Sequence, residues 1–446
     1  MTYTNGDIKR LGQRIQGAQG KVSPDDLILL QEFRTSFSTP LTDTFSKIIQ
    51  IKNNVRQSAI VAFRLKRIST IINKVLREPE MSLYRMGDIA GIRLIFENNR
   101  EIYKALELIQ EQFEQSGKLR DYVNKPKEIG YRGVHIYIKD KTTGKRIEIQ
   151  IRTTEHHNWS TLVEITDLLY ETRLKELGYQ SHPKFAKFHT LMSSDKELTD
   201  SEADLVYDIL DEYNFITNLS KLFRKNINEV RNQWTSLRKK SRYFLIEASK
   251  SEIPNLKAFK NYIDAEKEYF EAYKRNEQTE IVLTAISKPS FQQICIAYAN
   301  YILSYHTFIN DVEPIIKNLA IRALEEHNIN NFKKIFETYE ELQANLILDI
   351  VFEGIELFSA KMVGPKIVLR ASGNLTKSKE KLLIKRLNDK LRERAKKHKE
   401  FLNEVKLYIP KNFIKQYRCN SFLKKHAKRM NRIVKKQQII FDPEVK

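Results

Sequence analysis

Residues 146–153, RIEIQIRT, alternate apolar and polar side chains, and this alternation constrains the fold more than any other stretch of the chain. Successive side chains of a β-strand point to opposite faces, so the three isoleucines share one face. Glu148, Gln150 and Arg152 then share the other face. The preceding residues 130–139, GYRGVHIYIK, alternate too, and the turn DKTTGK joins both stretches into a hairpin. We therefore predict a sheet with one core face and one polar face.

Helical periodicity surrounds this hairpin. In residues 51–78, apolar side chains recur at helical spacing, and 23–50 has a similar pattern. The Gly-bounded apolar run IRLIF predicts a buried strand, and amphipathic helices are predicted over 99–115 and 153–178. The order helix–strand–helix–hairpin–helix predicts an α+β fold, a mixed sheet flanked by helices.

The second half of the chain contains further predicted strands and helices. Strands are predicted at RYFLIEA and EIVLTAI, the first followed by a predicted helix over 253–275 and the second by one over 290–309, which together make a small α/β unit. From about residue 317 the pattern is helical, with a break near MVGPKIVLRASGN. We predict the following domains: 1–215, a connecting helix 216–237, a small α/β accessory domain 238–316, and a helical C-terminal region 317–446.

Charge is concentrated near the C-terminus. The net charge is +21, and residues 376–436 hold 22 basic and 5 acidic side chains, a net charge of +17. Such a basic block predicts a polyanionic partner, either RNA or a ribosome surface, and the alternative is a solvated helical tail. No apolar run has the length of a membrane span, the N-terminus lacks the layout of a signal peptide, and the two cysteines form no disulfide framework. We expect a cytoplasmic protein without a membrane partner.

Acidic and basic residues cluster around the polar strand face. RMGDIAGIR places Asp88 at the entrance of a strand between Arg85 and Arg93, and upstream AFRLKRISTIINK adds further cations. Mg²⁺ binds through one or two carboxylates and the phosphates of a substrate, while cations balance the phosphate charge. Two carboxylates on neighbouring strands, Asp88 and Glu148, therefore predict a magnesium–nucleotide site.

Three motifs in this order, RMGDIAGIR, PKEIGYRGVH and IEIQIRT, resemble the synthetase domain of the RelA/SpoT family of alarmone synthetases over about residues 20–215. The resemblance implies a nucleotidyltransferase-like sheet. It also implies a pyrophosphokinase that moves the β,γ-pyrophosphate of ATP to a ribose 3′-hydroxyl and releases AMP. With GDP or GTP as the acceptor, the product is the alarmone (p)ppGpp.

Roles for individual residues follow from the resemblance. Asp88 and Glu148 match the two magnesium ligands, and Glu148 also matches the group that activates the acceptor hydroxyl. The remaining matches are Arg64, Lys66, Lys74 and Arg93 for ATP, Lys127, Tyr131 and His135 for the acceptor, and Gln150 and Arg152 as supporting residues.

The sequence departs from the family on the acceptor side, where Ile129 and Gly133 replace the usual Asn and Ser. The acceptor therefore remains open between GDP or GTP and the 3′ end of tRNA, as in toxic short members that block translation. A third alternative is a catalytically silent RNA-binding regulator with the same fold. No His-Asp dipeptide occurs, so we expect no hydrolase domain of the long family members. Another possible role of the C-terminal region is to bind a regulatory partner protein.

Overall fold

The structure is a computed structural model that describes residues 3–193, 197–221, 241–248, 254–275, 280–286, 305–357, 359–363, 366–370, 377–436 and 440–441, and a few single positions between them. The chain divides into two compact units. The first comprises residues 1–194 and 223–304, and the second comprises 195–222 and 305–446.

The first unit is built around a mixed sheet with helices packed on it. Its strands are β1 (Ile60–Leu65), β2 (Ala90–Phe96), β3 (Arg120–Asp121), β4 (Val134–Lys139), β5 (Arg146–Thr153), β6 (Tyr243–Ala248), β7 (Asn255–Phe259) and β8 (Glu280–Ala285). Its helices are α1 (Asn5–Gly17), α2 (Pro24–Thr35), α3 (Ser38–Val55), α4 (Ile68–Arg77), α5 (Asn99–Gln112), α6 (Thr154–Leu169), α7 (Leu174–Leu177) and α8 (Pro183–Met192). Helix α10 (Tyr262–Arg275) belongs to the same unit, whereas α9 (Asp200–Glu212) belongs to the second.

The eight strands are hydrogen-bonded in the order β3-β4-β5-β2-β1-β8-β6-β7. Strands β2 and β5 run parallel, and the other neighbours run antiparallel. A parallel pair needs a crossover connection, which α5 and the β3–β4 segment supply here. The predicted mixed sheet flanked by helices is confirmed.

The apolar face of the sheet forms the main core. The isoleucines of β5, together with alternate residues of β1, β2 and β4, pack against apolar side chains of α3 and α5, and nearly all of them are less than 5% exposed. Phe45 of α3, for example, meets Phe63 of β1 edge-to-face at 4.6 Å between ring centroids. Burial of this face leaves the opposite side chains of the same strands for the site described below.

The prediction of one helix over residues 51–78 is wrong, because residues 60–65 form β1. Val61, Leu65 and Ile68 do recur at helical spacing, but the segment IVAFRL pairs with β2 on one side and β8 on the other. The helix predicted at 253–275 likewise begins only at Tyr262, because Asn255–Phe259 is β7. Most of the helix predicted at 290–309 lies outside the described residues.

The predicted accessory domain 238–316 differs from the observed units. Strands β6, β7 and β8 extend the main sheet, because β8 pairs with β1 through Val61, Ala62 and Phe63. Residues 305–316 fall in the second unit instead. The connecting helix predicted at 216–237 lies partly outside the described residues.

The second unit is mainly helical. Besides α9 it contains α11 (Tyr305–Glu325), α12 (Ile329–Leu357), α13 (Lys377–Leu407), α14 (Phe413–Lys436) and a three-stranded sheet of β9 (Ser359–Val363), β10 (Lys366–Arg370) and β11 (Ile440–Phe441). Phe336 of α12 stacks on Phe401 of α13 at 6.0 Å, and Glu340 of α12 pairs with His426 of α14. These contacts fix which faces of α13 and α14 are buried. Among the described residues, no helix is both long and apolar enough to cross a membrane.

Candidate active site

Neighbouring strands place their polar side chains on one face of the sheet. In the register of β4 and β5, Tyr137 lies beside Glu148 and His135 lies beside Gln150. In the parallel pairing of β2 with β5, Arg93 lies on the other side of Gln150. Period-two alternation therefore assembles these groups once the core face is buried.

Five side chains of this face close a ring of hydrogen bonds: Glu148, His135, Tyr131, Arg152 and Gln150. His135 Nδ1 contacts Glu148 Oε1 at 2.9 Å, and the Tyr131 hydroxyl contacts His135 Nε2 at 2.5 Å. Arg152 Nη2 donates to the Tyr131 hydroxyl (2.6 Å) and to Gln150 Oε1 (2.9 Å), and Gln150 Nε2 donates to Glu148 Oε2 (2.8 Å). Because a guanidinium can only donate, Tyr131 donates onward to His135, and His135 carries its proton on Nδ1.

Glu148 is held as a carboxylate by this ring. It is 8% exposed, and the Tyr137 hydroxyl adds a third hydrogen bond, 3.0 Å from Oε1. Burial alone would raise the pKa of Glu148, but the hydrogen bonds from His135, Gln150 and Tyr137 lower this pKa well below its ordinary value. A carboxylate has about four acceptor positions, so Glu148 keeps roughly one of them, on Oε2, for another ligand.

Asp88 lies just before β2 and meets two lysines. Lys66 Nζ and Lys74 Nζ donate to the same oxygen, Oδ2, at 2.7 and 2.8 Å. The backbone N–H of Lys66 donates to Ile89 O at 2.8 Å, which fixes the end of β1 beside Asp88. Burial would raise the pKa of Asp88, but the two ammonium groups lower it, so Asp88 is a carboxylate at neutral pH.

The second oxygen of Asp88 suits a hard cation. Asp88 Oδ1 is buried and has no hydrogen-bond partner, which is costly unless a ligand occupies it. Burial raises the pKa of Tyr137, and the charges of Glu148 and then Asp88 raise this pKa further, so both carboxylates act on the same hydroxyl. Within the described residues no group of three or more His, Cys, Asp or Glu side chains could hold a metal, so Mg²⁺ would take its other ligands from phosphates and water. Asp88 and Glu148 fit that requirement.

The charges of Arg64 and Arg152 act on the buried guanidinium of Arg93. Burial, followed by the charges of Arg152 and Arg64, lowers the pKa of Arg93 to about 10. The Nε groups of Arg93 and Arg152 are buried without a hydrogen-bond partner. Burial would raise the pKa of Glu164 on α6, but its ion pair with Lys175 and then the charges of Arg93 and Arg64 lower this pKa. Unpaired buried donors among like charges are suited to binding an anion such as a triphosphate.

A cluster of aromatic side chains adjoins the ring of hydrogen bonds at Tyr131. The Tyr131 ring lies edge-to-face with Tyr122 (centroids 5.7 Å apart) and with Trp159 (6.4 Å). Lys127 Nζ lies 4.8 Å from the centroid of Tyr122 and 5.3 Å from that of Tyr131. These rings and the exposed Lys127 chain offer a planar group both an aromatic face and a cation.

Helix α6 begins directly at the end of β5. Thr153 is its N-cap, with Oγ1 accepting from the backbone N–H of His156. Because α6 starts here, Trp159 lies against Tyr131, and Glu164 lies where the charges of Arg93 and Arg64 lower its pKa.

The residues predicted for the site therefore fall into neighbouring groups: Asp88 with Lys66 and Lys74, Arg93 with Arg64 and Arg152, and Glu148 with Gln150, His135 and Tyr131, beside which Lys127 lies. Their individual roles remain predictions. Sequence reasoning missed Tyr137, Tyr122 and Glu164. The sequence could have indicated Tyr137, because it lies two residues after His135 on β4 and therefore on the same face of the strand. No comparable pattern in the sequence indicates Tyr122 or Glu164.

Comparison with known proteins finds similarity over part of the chain. A family described as "Region found in RelA / SpoT proteins" matches residues 63–175. A probable chloroplastic GTP diphosphokinase of Oryza sativa subsp. japonica is 29% identical over 137 residues, covering 28% of this chain and 19% of that protein. A GTP pyrophosphokinase of Haemophilus influenzae is 28% identical over 175 residues, covering 39% of this chain and 23% of that protein. The chain thus spans about a fifth of the length of these relatives.

Two solved structures also align with part of the chain. Small alarmone synthetase 1 from Bacillus subtilis, bound to its product pppGpp, aligns with a TM-score of 0.30 and 20% identity, covering 36% of this chain and 92% of that chain. A GTP pyrophosphokinase family protein from Streptococcus pneumoniae aligns with a TM-score of 0.31 and 21% identity, covering 41% and 95%. The family match over residues 63–175 contains the motifs RMGDIAGIR, PKEIGYRGVH and IEIQIRT, so this part of the chain is similar to the region found in RelA/SpoT proteins.

Proposed function

We propose that the protein transfers the β,γ-pyrophosphate of ATP to the ribose 3′-hydroxyl of GDP or GTP in the presence of Mg²⁺. The observation that carries this proposal is the buried, unpartnered Oδ1 of Asp88 on the face that also presents Glu148. The relatives named GTP diphosphokinase and GTP pyrophosphokinase support the choice of a guanine nucleotide as the acceptor.

The donor side would be formed by the cations. Lys66 and Lys74 together carry one more positive charge than Asp88 neutralises, and both remain within reach of an incoming phosphate. Arg93, next to Arg64 and Arg152, would bind phosphate oxygens through its unpaired Nε. Positioning and charge stabilisation supply most of the catalysis in phosphoryl transfer, because the transition state is loose and its charge is spread over the oxygens.

Asp88 and Glu148 would hold the magnesium ion. When bound, Mg²⁺ supplies charge neutralisation at the phosphate oxygens. Glu148 has about one free acceptor position, so in the observed arrangement it serves either the metal or the acceptor hydroxyl. Its low pKa also makes it a weak base, so we infer that Glu148 mainly orients the 3′-hydroxyl and helps to bind the metal.

The acceptor side would be formed by Tyr131, Lys127 and His135. The Tyr131 ring would stack on the base, and Lys127 would meet an acceptor phosphate. The ring of hydrogen bonds joins Tyr131 to Glu148 through His135, so the base platform and the group that orients the hydroxyl are held as one unit.

A second candidate is transfer to the 3′ end of tRNA. The observation in its favour is the basic block, in which residues 405–436 carry eleven Lys and Arg and no Asp or Glu. An enzyme that acts on tRNA needs such a surface to bind the phosphates of the RNA. The chemistry at Asp88 and Glu148 would be the same, and only the acceptor would differ.

The test uses ATP labelled with ³²P at the β-position and ³³P at the γ-position, with Mg²⁺ and GTP. We expect both labels to reach the product in the ratio they had in ATP, with one AMP released per product. Asp88→Asn should abolish both, and Lys9→Gln, an exposed change on α1, should leave them intact. Transfer of the γ-label alone, or hydrolysis without a labelled nucleotide product, would contradict the proposal.

A further inference from the structure

The largest exposed apolar feature of the described chain lies at the turn between α13 and α14. Eleven large hydrophobic side chains are exposed in the described part of the chain, and five of them fall within residues 407–417. These five, which we call the tip, are Leu407 (81% exposed), Tyr408 (36%), Phe413 (81%), Ile414 (67%) and Tyr417 (70%). An exposed apolar cluster of this kind marks an interaction surface.

The orientation of α14 is set by its buried side. Cys419, Leu423 and His426 are each less than 4% exposed, and Phe422 packs edge-to-face on Phe332 and Phe336 of α12. The solvent side is therefore well defined. Phe422 thus belongs to the packing between the helices and not to the exposed surface.

A single row of side chains runs along the solvent side of α14. At 3.6 residues per turn, Phe413, Tyr417, Lys424 and Lys428 lie within about 60° of one another around the helix axis. All four are exposed. The row covers a rise of about 22 Å along the helix. It begins with two aromatic rings and continues with two ammonium groups.

The surroundings of the tip favour a polyanion. Residues 405–436 contain no Asp or Glu, so nothing in this segment offsets its eleven basic side chains. A second copy of the chain would bring the same positive charge to the contact and be repelled. A bilayer surface would require an apolar face along most of the helix, whereas over residues 413–429, the part of α14 whose side chains the structure describes, the exposed large apolar side chains lie in the first turns.

We propose that the tip and the row Phe413–Tyr417–Lys424–Lys428 bind single-stranded RNA. Unpaired bases stack on aromatic rings whatever their sequence, and phosphates bind a line of cations beside them. Duplex RNA keeps its bases stacked on each other, so it offers this surface only its phosphates. This binding is independent of the proposed pyrophosphate transfer and does not require it.

The test measures fluorescence anisotropy of the full chain with a labelled 20-nucleotide oligo(U) at several salt concentrations. Phe413→Ala with Tyr417→Ala should raise the Kd at least tenfold at fixed salt, while leaving the salt dependence unchanged. Lys424→Gln with Lys428→Gln should lower the slope of log K against log salt by about 1.4, because each phosphate contact to a single strand contributes about 0.7. Leu382→Ala, an exposed change on α13 outside the tip, should alter neither quantity.

Duplex RNA and anionic phosphatidylserine vesicles complete the test. We expect the duplex to bind at least tenfold more weakly than the single strand, and the aromatic double variant to affect it little. Equal affinity for both RNAs, or a Kd unchanged in the aromatic variant, would overturn the proposal. Saturable binding to vesicles without binding to RNA would also overturn it. Because the readout is binding, a negative result here leaves the pyrophosphate-transfer proposal standing, and an inactive enzyme leaves this proposal standing.

Discussion

Replacement of Glu148 by Gln tests the ring of hydrogen bonds through stability as well as activity. Glu148 accepts from His135 and Tyr137 at Oε1 and from Gln150 at Oε2. A Gln at this position must turn its NH₂ toward one of these donors. If that NH₂ faces Gln150, the Gln150 amide cannot flip, because its Oε1 already accepts from Arg152. One donor is therefore left buried and unpaired.

The cost can be worked out from the contacts. Hydrogen bonds to a charged group contribute about 1.5–3 kcal/mol each and neutral ones about 0.5–1.5 kcal/mol, while an unpaired buried donor costs about 1–3 kcal/mol. Relief from burying the charge offsets part of this loss. We expect Glu148→Gln to lower the free energy of unfolding of the first unit by about 2–4 kcal/mol and to abolish transfer.

A compensating change sharpens this prediction. In the double variant with Gln150→Glu, the new Gln at position 148 donates to the new carboxylate, which accepts from Arg152 as well. Gln150→Glu alone places two carboxylates about 2.8 Å apart and should be destabilising. The double variant should recover at least about 1 kcal/mol relative to the sum of the single changes. It should stay inactive, because the carboxylate has moved.

Urea unfolding followed by tryptophan fluorescence measures this cycle. Both tryptophans, Trp159 and Trp234, lie in the first unit, so the signal reports on that unit. The ring centroids of Trp159 and Tyr131 are 6.4 Å apart, so the fluorescence of Trp159 also responds to changes in the ring of hydrogen bonds. A cost below about 0.5 kcal/mol for Glu148→Gln, or strictly additive effects in the double variant, would refute the hydrogen-bond ring.

Three further predictions concern other parts of the first unit. Tyr131→Ala should raise the KM for the acceptor at least tenfold with little change in the KM for ATP, as measured by initial rates; a parallel rise in both would make Tyr131 purely structural. Asp88→Asn should abolish turnover at every magnesium concentration tested, and a magnesium dependence equal to that of the wild type would show that Asp88 does not bind the metal. Burial lowers the pKa of His189 from 6.5 to about 3, so the unfolded chain binds the proton first as pH falls. The contribution of neutral His189 to the free energy of unfolding is therefore complete above about pH 6.5 and should fall by about 2 kcal/mol by pH 5. Urea titrations at both pH values measure this loss, and the His189→Asn variant should not show it.

The sequence predicts the polar strand face because alternation is a local signal. The identities at positions 147–152 determine which side chains of β5 enter the core, whatever strands lie beside it. The resemblance supplied the partner motifs around Asp88 and Tyr131. The bonds that join Glu148 to Tyr131 through His135 depend on cross-strand register and rotamers, and no pattern in the sequence encodes these.

The misplaced helix at 51–78 has a physical reason. A six-residue apolar run such as IVAFRL fits a buried strand as well as one side of a helix, and Val61, Leu65 and Ile68 happen to continue a helical stripe. Tertiary pairing decides the outcome, since Val61 pairs with Leu94 on one side and with Ala285 on the other. The second of these contacts joins residues more than two hundred positions apart, so the single eight-stranded sheet had no local signal.

The measurement that tests the central claim most directly uses ATP labelled at the γ-phosphate, Mg²⁺, and the purified full chain. GDP, GTP and deacylated tRNA are offered in separate reactions, and label transferred to each is counted after separation. The account predicts that label moves to GDP or GTP and that Asp88→Asn abolishes this transfer. Label on none of the three acceptors, or on tRNA alone, would contradict the proposed guanine-nucleotide pyrophosphotransferase.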